Sequence, residues 1–141
     1  MRMTQEFNTP ISSMDDHQKE WFATAIVSMI LADGNVTREE SDSLMRSISF
    51  VRNPTLVETL KKYIAFQTVP NLTVFTGWEK NLKNRAIMML DLMKVAIADR
   101  DFSPKEREQF LLIGKILGFP RHKVEELITM GTQAIDSMGA E

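Results

Sequence analysis

The sequence predicts an all-α fold, a single compact bundle of about six to seven helices. Three observations predict it. Apolar residues recur at spacings of three and four along most of the chain. A hydroxyl residue with Glu three positions later, the signature of a helix N-terminal capping box, occurs at Thr37/Glu40, Thr55/Glu58, Thr76/Glu79 and Ser103/Glu106. No pair of strands can be read anywhere, since the β-branched residues of 67–75 have no partner segment.

The elements follow in order. Ser12 or Ser13, with Asp15 and Asp16 behind it, marks a first helix start, the acids favourable at the positive end of the helix dipole. Phe22, Ala25, Ile26, Met29 and Ile30 then form one apolar stripe, and Asp33-Gly34 stops the helix. Thr37/Glu40 opens a second helix with Leu44, Ile48 and Val51 inward, ending at Arg52-Asn53-Pro54 because the residue before Pro is pushed out of helical geometry. Thr55/Glu58 opens a third through Leu56, Leu60, Tyr63 and Ile64.

Residues 67–75, QTVPNLTVF, break the period and read as a connector. Thr76/Glu79 opens a long helix from Trp78 to Ala98 with Leu82, Ala86, Met89, Met93, Ala96 and Ile97 buried. Ser103/Glu106 opens the next, with Pro104 at the first helical position, where its missing N–H costs nothing. Phe110, Ile113, Ile116 and Leu117 line it, and Gly118 ends it as a left-handed cap. Pro120 opens the last helix with Val124, Leu127, Ile128 and Ile135 inward. The expected organisation is one domain over residues 1–141, with 1–12 and 138–141 frayed.

Totals narrow the function. The 141 residues are 43% hydrophobic and 26% charged with a formal net charge of −2, so no bulk attraction to nucleic acid or anionic lipid is expected. Absence of Cys excludes disulfides, thiolate catalysis and Cys-based zinc or iron–sulfur ligation, and suits a reducing, cytoplasmic setting. The first ten residues carry charge with no apolar run behind it and do not read as a signal peptide. The longest apolar stretch, Trp21 to Ala32, falls short of the ~20 residues that span a bilayer, so no direct membrane insertion is expected.

One pattern stands out. ADGNVTREE at 32–40 returns as ADRDFSPKE at 98–106, a constant offset of 66 residues. Ile26/Leu92, Leu31/Ile97, Val36/Phe102 and Leu44/Phe110 are matched apolar positions at the same offset. Two helical hairpins related by a pseudo-twofold are the expected architecture.

A helix ending in Ala-Asp-Gly, an acidic capped turn and a following helix with Glu in its first turn resemble the TerB-like domain, the fold of the tellurite-resistance protein TerB and of the N-terminal region of DjlA-type co-chaperones. ADRDFSPKEREQFLLIGKILGFP is similar to that family's second corner, and the resemblance covers residues 14–136. It implies an all-helical domain without demonstrated enzymatic activity, associated with tellurite and related chemical stress, membrane-linked complexes and calcium binding through acidic residues. Carried over, it implicates Asp33 and Glu40 in the first corner and Asp99 and Glu106 in the second. Arg100 stands where the first corner has Gly34, placing a cation beside the second acidic set.

The chemistry of calcium bears on the same residues. Calcium takes about six to eight hard oxygen ligands, and an Asp-x-Asn or Asp-x-Asp turn aims alternate side chains at one centre. Asp33-Gly34-Asn35 and Asp99-Arg100-Asp101 offer that spacing, with Glu40 or Glu106 seven residues after the first Asp. This is not EF-hand spacing, and one corner alone has few oxygens. Glu40 and Glu106 are also claimed by their capping boxes, so the same turns read equally as plain helix joints or as an acidic docking face.

Other features carry less. His17 and His122 lack metal-ligand spacing and read as surface or helix-end residues. Met29, Met88, Met89 and Met93 read as core, not as soft ligands. Arg52, Lys61, Lys62, Lys80, Lys83 and Arg85 read as a solvated basic face, and Trp21 and Trp78 as half-buried core. No phosphate-binding loop, dinucleotide fingerprint or nucleophile elbow occurs. The expected function is a non-catalytic binding or scaffold module with a protein partner and no nucleic acid, acting in stress response or a membrane-associated complex. Its expected metal ligands are Asp33, Asn35, Glu40, Asp99, Asp101 and Glu106, with calcium the expected ion. The alternatives are a metal-dependent hydrolase using the same carboxylates, or a protein-interaction domain without metal.

Overall fold

Asp15 begins the first long helix, α1 (Asp16–Leu31), in the computed structural model, which describes residues 9–32, 36–73, 82–97 and 102–139. The Asp15 carboxylate accepts from the Gln18 N–H at 2.8 Å, and the Gln18 carboxamide oxygen accepts from the Asp15 N–H at 3.1 Å. This reciprocal pair displaces the expected start at Ser12 or Ser13, which instead lie in a single 3₁₀ turn, Ile11–Ser13. A carboxylate one residue from the helix satisfies the exposed N–H groups and the dipole together.

The expected single stripe on α1 is also corrected. Trp21, Phe22, Ala23, Ala25, Ile26, Val27, Ser28 and Met29 are all buried, so the helix is covered nearly all round. The reason is position: α1 packs against α3 (Pro54–Ala65), α4 (Leu82–Ile97) and α5 (Pro104–Ile116). Trp21, expected to be half-buried, is 3% exposed, and its indole N–H donates to the Thr73 carbonyl at 2.7 Å.

Between α1 and α3 lies α2 (Arg38–Ser47), capped by Thr37. It stops at Ser47, short of the expected Arg52, yet turns anchored by Ile48 N–H to Leu44 carbonyl and Val51 N–H to Ile48 carbonyl still bury Ile48 and Val51. The start of α3 differs from the Thr55/Glu58 box expected for it. Asn53 is the cap, accepting from the Thr55 and Leu56 N–H groups at 3.0 and 3.4 Å, with Pro54 at the first helical position. Glu58 pairs instead with Lys61 on the exposed face. Residues 67–73 are neither helix nor strand, as a connector should be. The box at Thr76/Glu79 and the helix start at Trp78 lie outside the described residues.

On α4 the inward stripe holds from Met88 onward: Met88, Met89, Leu92, Met93 and Ala96 are buried. Leu82, expected inside, is 57% exposed, and residues 84–87 are only half-buried, so full burial on α4 begins one turn later than the apolar spacing implies. The Ser103/Glu106 box and Pro104 open α5 as expected. At its end Gly118 adopts φ +88°, with the Phe119 N–H donating to the Gly114 carbonyl and the Gly118 N–H to the Lys115 carbonyl, a Schellman arrangement. The last helix, α6 (Arg121–Gly139), packs on α4 and α5 with Val124 and Ile128 inward; the side chains of Ile97 and Ile135 lie outside the description.

The described residues thus hold six α-helices and no strand, sharing one core centred on Phe22, Ile26, Met29, Leu44, Met89, Leu92 and Phe110. Helix α2 begins at Arg38 and α5 at Pro104, an offset of 66 (104 − 38) that matches the sequence repeat. Ile26/Leu92 and Leu44/Phe110 are fully buried pairs at that offset. The core methionines fill it as adaptable apolar chains.

Candidate functional site

Each acidic corner leads into a helix N-terminus, and the two that are described share one local design. At α2 the Glu40 N–H donates to Thr37 Oγ1 at 3.1 Å, and Glu40 Oε1 accepts from the Thr37 N–H at 3.1 Å. At α5 the Glu106 N–H donates to Ser103 Oγ at 3.1 Å, and Glu106 Oε1 accepts from the Ser103 N–H at 2.9 Å. Each carboxylate therefore commits one oxygen to its capping box.

Their surroundings differ. Glu40 is partly exposed, and its Oε2 has no hydrogen-bond or ion-pair partner among the described residues. Glu106 is 5% exposed and makes further contact beyond its capping bonds. The second corner uses its Glu as an interior polar group; the first presents it to solvent. Asp33, Asn35, Asp99 and Asp101 lie outside the described residues. Among the described residues no three His, Cys, Asp or Glu side chains gather closely enough to hold a metal.

A clamp that sequence reading missed fixes the exit of the first corner. Gln67 has φ +53° and sits where the helix end of α3 turns back: the Thr68 N–H donates to the Tyr63 carbonyl at 2.9 Å and the Gln67 N–H to the Ile64 carbonyl at 3.2 Å. Glycine is the usual residue there. Gln67 instead brings a carboxamide to the backbone of Val36. The signal in the sequence was negative: no Gly or Asn follows Ala65-Phe66, although a helix must end before Pro70.

Asp91 was missed as well. It is fully buried on α4, accepting from both the N–H (2.7 Å) and the hydroxyl of Thr9, with Lys94 Nζ 3.6 Å from its other oxygen. A lone acid inside the apolar run MMLDLM was the available sign. Of the expected basic face, Arg52, Lys61, Lys62 and Lys83 are exposed, whereas Arg85 turns inward and donates to the Leu117 carbonyl at 2.5 Å. Lys80 and Trp78 lie outside the described residues. His17 and His122 are both exposed.

The surface also contains a cleft of about 270 Å³ between α1, α3 and the connector. Trp21 and Leu60 lie at its buried side, Glu20 and Tyr63 are half-buried on it, and Asn71 and Thr73 come from the connector. A shallower hollow shares Thr59 and Tyr63 with it and continues to Phe66, which is 78% exposed.

Compared with known proteins, residues 19–129 match the family model described as "Tellurite resistance protein TerB", well over half of the chain. No curated protein and no solved structure matches it. No helix among the described residues is long and apolar enough to cross a membrane.

Proposed function

The chain belongs to the TerB family, and from that premise we propose that it is a non-catalytic binding module whose first acidic corner is the principal ligand site. The observation that carries this reading is the state of Glu40: one oxygen is committed to the capping box, which fixes the carboxylate, and the other is left for solvent or a ligand. Asp33 and Asn35, four and two residues before Thr37, would supply the remaining side-chain oxygens for a calcium ion. Asp99, Asp101 and Glu106 are the counterpart set, weakened by Arg100 in their turn and by the burial of Glu106. The proposed setting is the cytoplasm, in a chemical-stress response of which the tellurite resistance in the family description is one case, through a protein partner and without nucleic acid.

A calcium titration of the isotope-labelled protein, followed on backbone amides at physiological salt, tests this. Saturable shifts across 33–40, lost in Asp33→Asn with Asp99→Asn, are the expected result. Silence at millimolar calcium with an intact spectrum would sink the cation reading. The second reading, a protein-interaction domain without metal, is favoured by the exposed Phe66 and the hollow beside it.

A further inference from the structure

We propose that the cleft between α1 and α3 binds a basic side chain, arginine or lysine, presented by a peptide segment of a protein partner. Glu20 is the central observation. The residue is half-buried, its carboxylate has no Lys or Arg within ion-pair distance among the described residues, and the one hydrogen bond to that carboxylate is a long, solvent-exposed 3.4 Å contact from Asn53 Nδ2. Elsewhere the described ion pairs occupy Glu58, Asp91, Glu108, Glu125 and Glu126. A carboxylate on a cleft wall with no cation of its own among the described residues is a ready partner for a guanidinium or ammonium group brought by a ligand.

The cleft fits that cation chemically. Its lining includes the half-buried ring of Tyr63, which attracts guanidinium and ammonium groups through its quadrupole, over a floor closed by Trp21 at 3% exposure, with His17 at the exposed rim and no Lys or Arg among the described residues. The Trp21 N–H is already satisfied by the Thr73 carbonyl, so the indole is fixed and its donor does not compete for a ligand. Leu56 and Leu72, both half-buried, provide apolar surface for the methylene stem of a long basic side chain. The cavity of about 270 Å³ suits one side chain better than a larger ligand. A peptide is the favoured source because the cleft shares Thr59 and Tyr63 with the hollow beside Phe66, where an apolar neighbour of the basic residue can lie.

The test uses the full chain and four soluble probes: N-acetyl-Arg-Leu-amide, its citrulline counterpart, and the two single-residue amides without Leu. Citrulline keeps the shape of arginine and removes its charge. Backbone amides of Thr24, Leu60, Asn71 and Thr73 report binding. The Arg-Leu probe should bind saturably and about fivefold tighter than the citrulline probe, the discrimination that one partly exposed charge contact supports. Glu20→Gln should erase that difference, and Phe66→Ser should weaken the Arg-Leu probe while sparing arginine amide. Equal binding of the arginine and citrulline probes, or a difference that survives Glu20→Gln, overturns the cation site. Equal affinity for arginine amide and Arg-Leu overturns the peptide as its source. Absence of any shift at these amides overturns the proposal whole.

Discussion

The Gln67 side chain pairs with both backbone groups of Val36: Nε2 donates to the Val36 carbonyl at 2.7 Å, and Oε1 accepts from the Val36 N–H at 3.0 Å. One carboxamide thereby stands in for a neighbouring strand and ties the end of α3 to the exit of the first corner. The backbone conformation that puts it there, φ +53°, costs a side-chain-bearing residue about 1 kcal/mol relative to glycine. Two partly buried hydrogen bonds of about 1 kcal/mol each offset that cost.

These opposing contributions order the native chain and two variants. Gln67→Gly loses both bonds but relieves the backbone, and should lie within about 1 kcal/mol of the native chain. Gln67→Ala loses the bonds and keeps the strain, so it should be lower by roughly 2 kcal/mol. Urea unfolding gives the order, and hydrogen exchange at the Val36 amide should quicken in both. Equal stability of the Gly and Ala variants would show that the positive φ is not a burden at this position.

Two glycines on the helix faces invite a contrast. A methyl at Gly114 would collide with Val124 Cγ2, and Val124 is a short, β-branched and buried residue that cannot move aside. A methyl at Gly131 would meet the Sδ of Met93 at 2.7 Å, which belongs to a flexible chain. Gly114→Ala should therefore separate α5 from α6 and destabilise by about 1–3 kcal/mol, as overpacking does. Gly131→Ala should be near neutral, the rearrangement of Met93 being offset by a helix propensity gain of up to about 1 kcal/mol. Thermal unfolding of the pair decides it; similar losses in both would refute the assignment.

Asp91 should matter far more than its place in an apolar helix suggests. It holds Thr9 through two donors and faces Lys94, and it is entirely out of solvent. Asp91→Ala leaves those donors without their acceptor, at about 3 kcal/mol for two bonds to a charged group. Residues 9–14 should then become accessible to limited proteolysis in otherwise folded protein. Cleavage patterns identical to the native chain would mean that this segment is held by its apolar contacts, such as Met14, instead.

What could be read from the sequence depended on whether the signal was local. Thr37/Glu40, Ser103/Glu106 and Gly118 were legible because each carries its own cap within a few residues. Thr55/Glu58 had the same pattern and failed, since Asn53 one residue before Pro54 caps more directly, and the pattern alone does not rank rival caps. The stripe on α1 was underestimated because burial there comes from three neighbours, a property of the assembled bundle. Gln67 with Val36, Thr9 with Asp91, and Glu20 with the α3 cleft join residues 31, 82 and dozens of positions apart, which periodicity along one helix cannot relate.

The capping role and any ligand role of Glu40 can be separated by one substitution. Gln also satisfies a capping box, because its carboxamide oxygen can accept the Thr37 N–H as Glu40 Oε1 does at 3.1 Å. Glu40→Gln should hence keep stability to within about 0.5 kcal/mol, the usual range for a surface change. It removes the negative charge and turns the second oxygen into an amide donor, which no calcium ion accepts as a ligand. Calcium-dependent amide shifts at 33–40 should disappear in this variant while the unfolding midpoint holds. Glu40→Ala, by contrast, should cost about 1 kcal/mol through the cap itself. If calcium shifts persist in Glu40→Gln, the carboxylate serves the helix alone and the ion is held by Asp33 and Asn35 without it. If stability falls as far in Gln as in Ala, the charge at the α2 N-terminus, and not the hydrogen bond, is what holds the helix start, and the helix dipole becomes the main reason for an acid at that position.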